Sequence, residues 1–542
     1  MASLWQGSGV AVGSETDSST AGQVPDKTAW HDDGRQFGVL AQNMAGRYLA
    51  IGTDILIGLV LLPHNVAHLG KSEYGLWMLV ASVTTYASLL ELGYGGALTK
   101  YVARYRALRD PLALNQIVST TLALYTGIGL VVYAVAVGVA FNLDHLFNIS
   151  AAQAATGRTV LLILGAYVAA TFAFRPFGTI PAGFQRTHWS SFVSVGTSAA
   201  VAVVNVAVLA AGYGLVPLVA AITIVRALGL FAYRAVAYYT FPALQVRFAH
   251  VRLDRLRELT GFSVYMLLLD VGWKMSFSSP PVIIGAILGS AAVASWTVAE
   301  RLGQAALRMT NQMNDALFAV IVDSDARRAE RLRTILVQGT RMSLASVIPV
   351  GGGMALLAHP VVMAFVGSEF SDAVAAVQAL ALMVIVRGGF ATSLTMLKGA
   401  GGHRVATVGS LAQAAATVVL GALLVGPLGA TGAALGLAVP VAAVHLALFL
   451  PAACRLAGVP VEAVLRQGVW PAVWPAGGAA AVFFALRGAF GSGLWPGLFY
   501  LAAAVLVYLA GFALAIGPVD RRFYGSKLRE VARWRRSVGV PA

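Results

Sequence analysis

One cysteine, Cys454, stands in a chain of 542 residues, so no intrachain disulfide and no thiolate metal cluster can form. The nine histidines are scattered, and none is read as paired at metal-ligand spacing. Charge is scarce too: 11% of residues are charged and 58% hydrophobic, at a mean hydropathy of +0.75. That balance excludes a soluble enzyme of this length and points to an integral membrane protein. No Walker motif occurs, which excludes ATP hydrolysis by the chain itself. Residues 1–42, rich in Gly, Ser, Thr and Asp, lack the apolar core of a signal peptide and read as a disordered cytoplasmic tail. Long loops are missing as well, which weighs against a membrane glycosyltransferase or polymerase.

What the chain does contain is apolar windows long enough to cross a bilayer, about fourteen of them between Gly46 and Ile516. The first two run over 43–65 and 74–96, the seventh and eighth over 260–286 and 291–320. The formal net charge is +15. Arginine and lysine concentrate in alternate segments, in Lys100 to Arg109, Arg175 and Arg186, Arg234 to Arg257, Arg327 to Arg333, Lys398 and Arg404, Arg455 and Arg466, and the tail from Arg521, whereas the segments between them hold only Lys71, Arg158 and Arg487. By the positive-inside rule both termini are then cytoplasmic. The basic excess marks topology and contact with anionic lipids, and no nucleic-acid partner is expected.

A weak repeat joins the halves. Leu69-Gly70 leads after six residues to Trp77, and Leu288-Gly289 leads after six to Trp296. The same offset pairs Asp54 with Trp273. Parallel repeats of this kind build transporters with a site between two lobes.

Polar groups inside the spans cluster. Span one has Asp54, span two Glu91 with Thr84, Ser88 and Gly95 on its face, and span seven Asp270 and Lys274 at i and i+4. In span eight, Glu300, Gln304, Arg308, Asn311 and Asp315 keep to one narrow arc, widened by Arg301. Hydrocarbon cannot satisfy such faces, so spans one, two, seven and eight are expected to line a central, water-filled cavity. The bland alternative is structural ion pairing, which suits Asp270 with Lys274 and Glu300 with Arg301. Arg301 and Arg308 suit phosphate, which guanidinium grips in a fork. Arg387 is either a cavity arginine or one that snorkels to an edge. PVGGGM, Pro349 to Met354, reads as a spanning helix whose glycines allow close packing. KGAGGHR, Lys398 to Arg404, reads as a turn between spans.

The run LGKSEYGLWMLVASVTTYASLLELGYGGALTKYVARY, Leu69 to Tyr105, resembles the signature of Wzx-type polysaccharide flippases. PPVIIGAILGSAAVASWTVAERL, Pro280 to Leu302, and PLGATGAALGLAVP, Pro427 to Pro440, resemble two further blocks of that family. The resemblance covers roughly Ala41 to Gly458. It departs at Glu91-Leu92-Gly93, where the family has LDLG, and in span eight, where LFAVIV lacks the family's late proline, which puts a kink there in doubt. The resemblance implies an all-α polytopic membrane protein of the multidrug, oligosaccharidyl-lipid and polysaccharide (MOP) exporter superfamily. Its N-lobe would occupy 43–240 and its C-lobe 241–458, six helices each around a central cavity. Spans thirteen and fourteen, 459–518, would form a hydrophobic groove, followed by a basic tail, 519–542. The implied activity is flipping of undecaprenyl-diphosphate-linked oligosaccharide across the bacterial inner membrane. Arg301, Arg308, Lys274, Arg387, Asn311 and Gln304 would then hold substrate. Asp54, Glu91, Asp270, Glu300 and Asp315 would balance charge or carry a coupling H+ or Na+. No other cofactor and no catalytic residue is expected; polymerase and chain-length proteins are expected partners. A lipid II flippase and an ion-coupled multidrug antiporter are the rival readings, with a polysaccharide polymerase weaker.

Overall fold

The computed structural model describes residues 33–91, 94–260, 264–325, 329–491 and 493–516. Among the described residues there is no strand, and helices account for nearly all of them. The main helices are α1 (Asp33–Thr85), α2 (Tyr94–Ala107), α3 (Pro111–Ala140), α4 (Ala151–Gly183), α5 (Thr187–Ala210) and α6 (Leu215–Thr240). A linker leads to α7 (Val264–Ile287), α8 (Ser290–Asp325), α9 (Ala329–Leu356), α10 (Ala373–Gly389), α11 (His403–Val444), α12 (Trp470–Phe490) and α13 (Leu494–Ala515). The expected tail is thus helical from Asp33, and the rest of it, like the basic C-terminal tail, lies outside the described residues.

By length and apolarity, eight described helices can cross a membrane, or up to ten if each bent pair is one span. That is fewer than the fourteen expected, and the difference has physical causes. Two long helical segments each fold back on themselves at a residue with non-helical backbone angles. In α11 the break is Gly429, at φ 58°. A side chain on Gly436 would come within 2.7 Å of the Gly421 backbone, and Gly409 packs on Phe449, so two antiparallel arms lie in contact. In α1 the break is Gly70, at φ 74°. Gly58 and Met78 both touch Arg301, although 20 residues of straight helix span about 30 Å. At both glycines the left-handed backbone needs a residue without Cβ. The helices α7 and α8 fall outside the count because their polar side chains lower the mean hydropathy.

The first group of helices packs as α3 on α4, α4 and α5 on α6, and α1 on α5; the second as α7 on α11, α10 on α9 and α11, and α8 on α10. The α12–α13 pair leans on α9. The glycines of PVGGGM do lie within α9, where Gly351 meets Ile385 and Gly353 meets Leu501, and Gly401 in KGAGGHR turns at φ 91°. The helix α7 runs through Pro280 and Pro281 without interruption, and α8 runs on through LFAVIV.

The two groups meet mainly where α1 crosses α8 and α7. Gly75 has no room for a side chain: a Cβ there would overlap the Ser290 carbonyl and lie 3.2 Å from the Ala294 nitrogen. Ala294 is the counterpart of Gly75 in the Leu-Gly-x6-Trp repeat, and both repeat glycines have positive φ, Gly70 at 74° and Gly289 at 87°. Two positions matched in the repeat are thus in contact between the groups.

Candidate functional site

The end of the bundle that carries Gly70 and Gly289 is closed by polar contacts between the two groups. Ser150 and Gln153 cap α4 reciprocally, and the same Gln153 side chain donates to Ser72 Oγ at 2.6 Å and Ser290 Oγ at 3.1 Å. Asn148 N–H donates to the Gly285 carbonyl at 3.1 Å, and Lys71 Nζ donates to the Glu369 carbonyl at 2.6 Å and Asp372 at 3.2 Å, above the Phe370 ring. These join the α1 turn and the start of α4 to the second group across its whole rim.

Further along α1, the polar residues of spans two and seven come together. The α1 backbone tightens into a 3-10 turn at Tyr86–Glu91. Lys274 Nζ lies 3.8 Å from Asp270 and donates to the Ser88 carbonyl at 2.9 Å. Both readings of Lys274 were therefore incomplete: it pairs with its neighbour and also ties α7 to α1. A cavity of about 30 Å³ lies here, lined by Ser88, Glu91, Asp270, Lys274 and three apolar residues, room for a single water or ion. Glu91 is held by Arg175 of α4, which the sequence reading had counted among the inner-loop cations. Asp54 accepts from Ser198 Oγ at 2.7 Å, within its own half.

The stripe on α8 divides. Glu300 accepts from Trp296 Nε1 at 3.0 Å, and Glu300 and Gln304 border a small cavity with Leu380, Met383 and Leu437, inside the second group. Arg301, one residue further and so about 100° round the helix, is the one that meets α1. Its Nη1 lies against Gly58 and its Nη2 is 3.8 Å from Met78 Sδ, a weak acceptor, while its Nε is buried without a hydrogen-bond partner. Glu300 thus takes its hydrogen bond from Trp296, while Arg301 lies near enough for its charge to act on the Glu300 carboxylate. Arg308 is exposed. The side chains of Asn311 and Asp315 lie outside the described residues. Arg387 stacks its guanidinium 3.5 Å over Trp273 and 4.6 Å over Phe277, so it neither hangs free in a cavity nor reaches an edge.

Sequence reasoning missed Arg175, Ser198 and Met78, because partners brought from distant helices leave no periodic trace. It also passed over His64 and His68, whose spacing could have been noticed: they share one face of α1 with ring centroids 4.2 Å apart. Among the described residues no third His, Cys, Asp or Glu joins them to hold a metal. A larger cleft, about 410 Å³, opens between 356–364 and the facing ends of α12 and α13, lined by Leu356, Met363, Phe483, Tyr500, His359 and Arg487.

The model of the polysaccharide biosynthesis protein family matches residues 40–325. No curated protein matches the chain. Among solved structures, an inward-facing multidrug resistance MATE family transporter of the MOP superfamily aligns at a TM-score of 0.60 and 15% identity, over 78% of this chain and 98% of that one. The lipid II flippase MurJ, in an inward closed conformation, aligns at 0.63 and 12% identity, over 88% and 98%. An outward-facing MATE family transporter aligns at 0.56 and 16% identity, over 78% and 96%. The fold shared with these transporters and a family match over more than half the sequence lead to one statement: this chain belongs to the polysaccharide biosynthesis protein family and has the fold of the MOP superfamily.

Proposed function

We propose that the protein is a flippase that moves undecaprenyl-diphosphate-linked oligosaccharide units across the bacterial inner membrane, for assembly of exopolysaccharide, O-antigen or capsule. The observation that carries this reading is Arg301, a guanidinium between the two halves that sits by the Tyr74 hydroxyl and the Met78 thioether, with its Nε buried and without a hydrogen-bond partner. Leaving a buried donor unpaired costs about 1–3 kcal/mol, more when it is charged. A diphosphate entering between the halves would remove that penalty. Lys274 and Arg308 stand on the same pair of helices, α7 and α8, so the anionic headgroup would be held by the C-lobe.

Transport would proceed by alternating access, with the contacts around Gly75 and Lys71 at the periplasmic end and both termini cytoplasmic. Asp54, Glu91 and Asp270 are the candidates for a coupling H+ or Na+, and the polymerase and chain-length proteins of the same route are candidate partners. Arg301→Ala and Arg308→Ala should each reduce polymer export to background in a strain lacking its own copy, with normal amounts of protein in the membrane. Full export by both variants would sink the assignment. Rescue of peptidoglycan synthesis in cells depleted of their lipid II flippase would redirect the cargo to lipid II, and ion-driven dye efflux would redirect it to drugs.

A further inference from the structure

The linker between the halves, Phe241 to Arg252, carries an exposed surface of mixed apolar and basic residues. It runs as extended chain and one 3-10 turn along the first turns of α3. The polar side chains of α3 hold its backbone: Asn115 Nδ2 donates to the Ala243 carbonyl at 3.0 Å and Asn115 Oδ1 accepts from Gln245 N–H at 2.9 Å. Ser119 Oγ accepts from Arg247 N–H at 3.4 Å and Thr120 Oγ1 from Arg252 N–H at 3.0 Å. Leu244 is buried beneath, and Arg255 beyond is tied to Gln116 and the Tyr105 hydroxyl. With its inner side fixed, the linker turns the opposite side outward. There Phe248 is 93% exposed and Leu253 76%, flanked by Arg247, Val251 and Arg252, also exposed, with Arg252 3.8 Å from Asp254.

The helix α3 supplies the depth. Its 30 residues span about 45 Å, enough for hydrocarbon and headgroups together. Asn115, Gln116, Ser119, Thr120 and Thr121 fill its early turns, and the apolar run to Ala140 follows. The linker is bonded to those polar turns, so it lies at headgroup level. Trp189 and Tyr239, in edge contact at 5.7 Å and both exposed, stand where α5 begins and α6 ends, as belt aromatics do. An exposed aromatic and leucine beside two arginines at that depth fit one partner.

We propose that Phe248 and Leu253 insert into the acyl boundary while Arg247 and Arg252 bind anionic phospholipid headgroups, so that the hinge between the lobes is docked on the membrane surface. The proposal does not rest on the cargo assigned above. The full-length protein, with Cys454→Ala and Phe248→Cys, is nitroxide-labelled and placed in nanodiscs of phosphatidylcholine with or without phosphatidylglycerol. Spin relaxation by oxygen and by a water-soluble nickel chelate then reports the depth of the label. With phosphatidylglycerol the label should be shielded from nickel several-fold better than one at exposed Asp144, and Arg247→Ala with Arg252→Ala should remove most of that gain. Nickel access equal to that at position 144, or shielding indifferent to lipid charge, would overturn the proposal.

Discussion

Lys274 shows what a single side chain can hide. Its spacing from Asp270 was readable, since residues four apart share a helix face. Its second bond, to the Ser88 carbonyl, was not, because a backbone acceptor has no residue identity to read. The two bonds differ in weight. Asp270 is 64% exposed, so the ion pair contributes no more than about 1 kcal/mol. The bond to Ser88 joins the halves. Lys274→Met should therefore lose most transport, and the double variant with Asp270→Leu should do no better than Lys274→Met alone, measured as polymer export at matched protein levels. Recovery in the double variant would restore the reading of a self-contained pair. Arg301 teaches the same lesson in reverse: sequence marked it as a phosphate ligand, and only the structure shows Glu300 taking its hydrogen bond from Trp296.

Helices were legible as apolar runs, and the gap read between the first two spans, 43–65 and 74–96, contains the Gly70 break of α1. The glycines at the turns carried that information. What periodicity could not supply was the neighbour each face meets. A 3.6-residue repeat groups Glu300 with Gln304 and Arg308, but Glu300 and Gln304 border α10 while Arg301, at the edge of the group, reaches α1. Close packing at the hairpin gives a test at this scale. Gly436→Val would push a side chain into the Gly421 backbone, which has no flexible end to yield. Overpacking of this kind costs about 1–3 kcal/mol, and thermal unfolding of the purified protein should shift down by several degrees. Gly426→Val, where nothing lies within 4 Å, is the control that should not move.

At the scale of the molecule, the repeat read from three matched residues proved to describe a contact, Gly75 on Ala294, and the family match agrees with the resemblance that the sequence blocks carried. Composition could not tell which end of the bundle is shut, because that depends on how two rigid halves lean together. The salt bridge from Lys71 to Asp372 offers a handle. In a Cys454→Ala background, Lys71→Cys and Asp372→Cys joined by a reducible bis-thiosulfonate linker should stop export, and dithiothreitol should restore it. Either single cysteine treated in the same way should export normally.

The absence of a side chain at Gly75 also has an electrical meaning. Where the Gly75 backbone meets Ser290, main chain packs against main chain with no room for a side chain between them. An energised membrane drives each elementary charge with about 2.3 kcal/mol per 100 mV. A carrier wide enough for a sugar lipid would short-circuit its own membrane unless one end were insulated this tightly. Gly75→Val, by holding that end ajar, should raise passive proton conductance in proteoliposomes even with no cargo present, and should slow growth of cells that make no polymer at all.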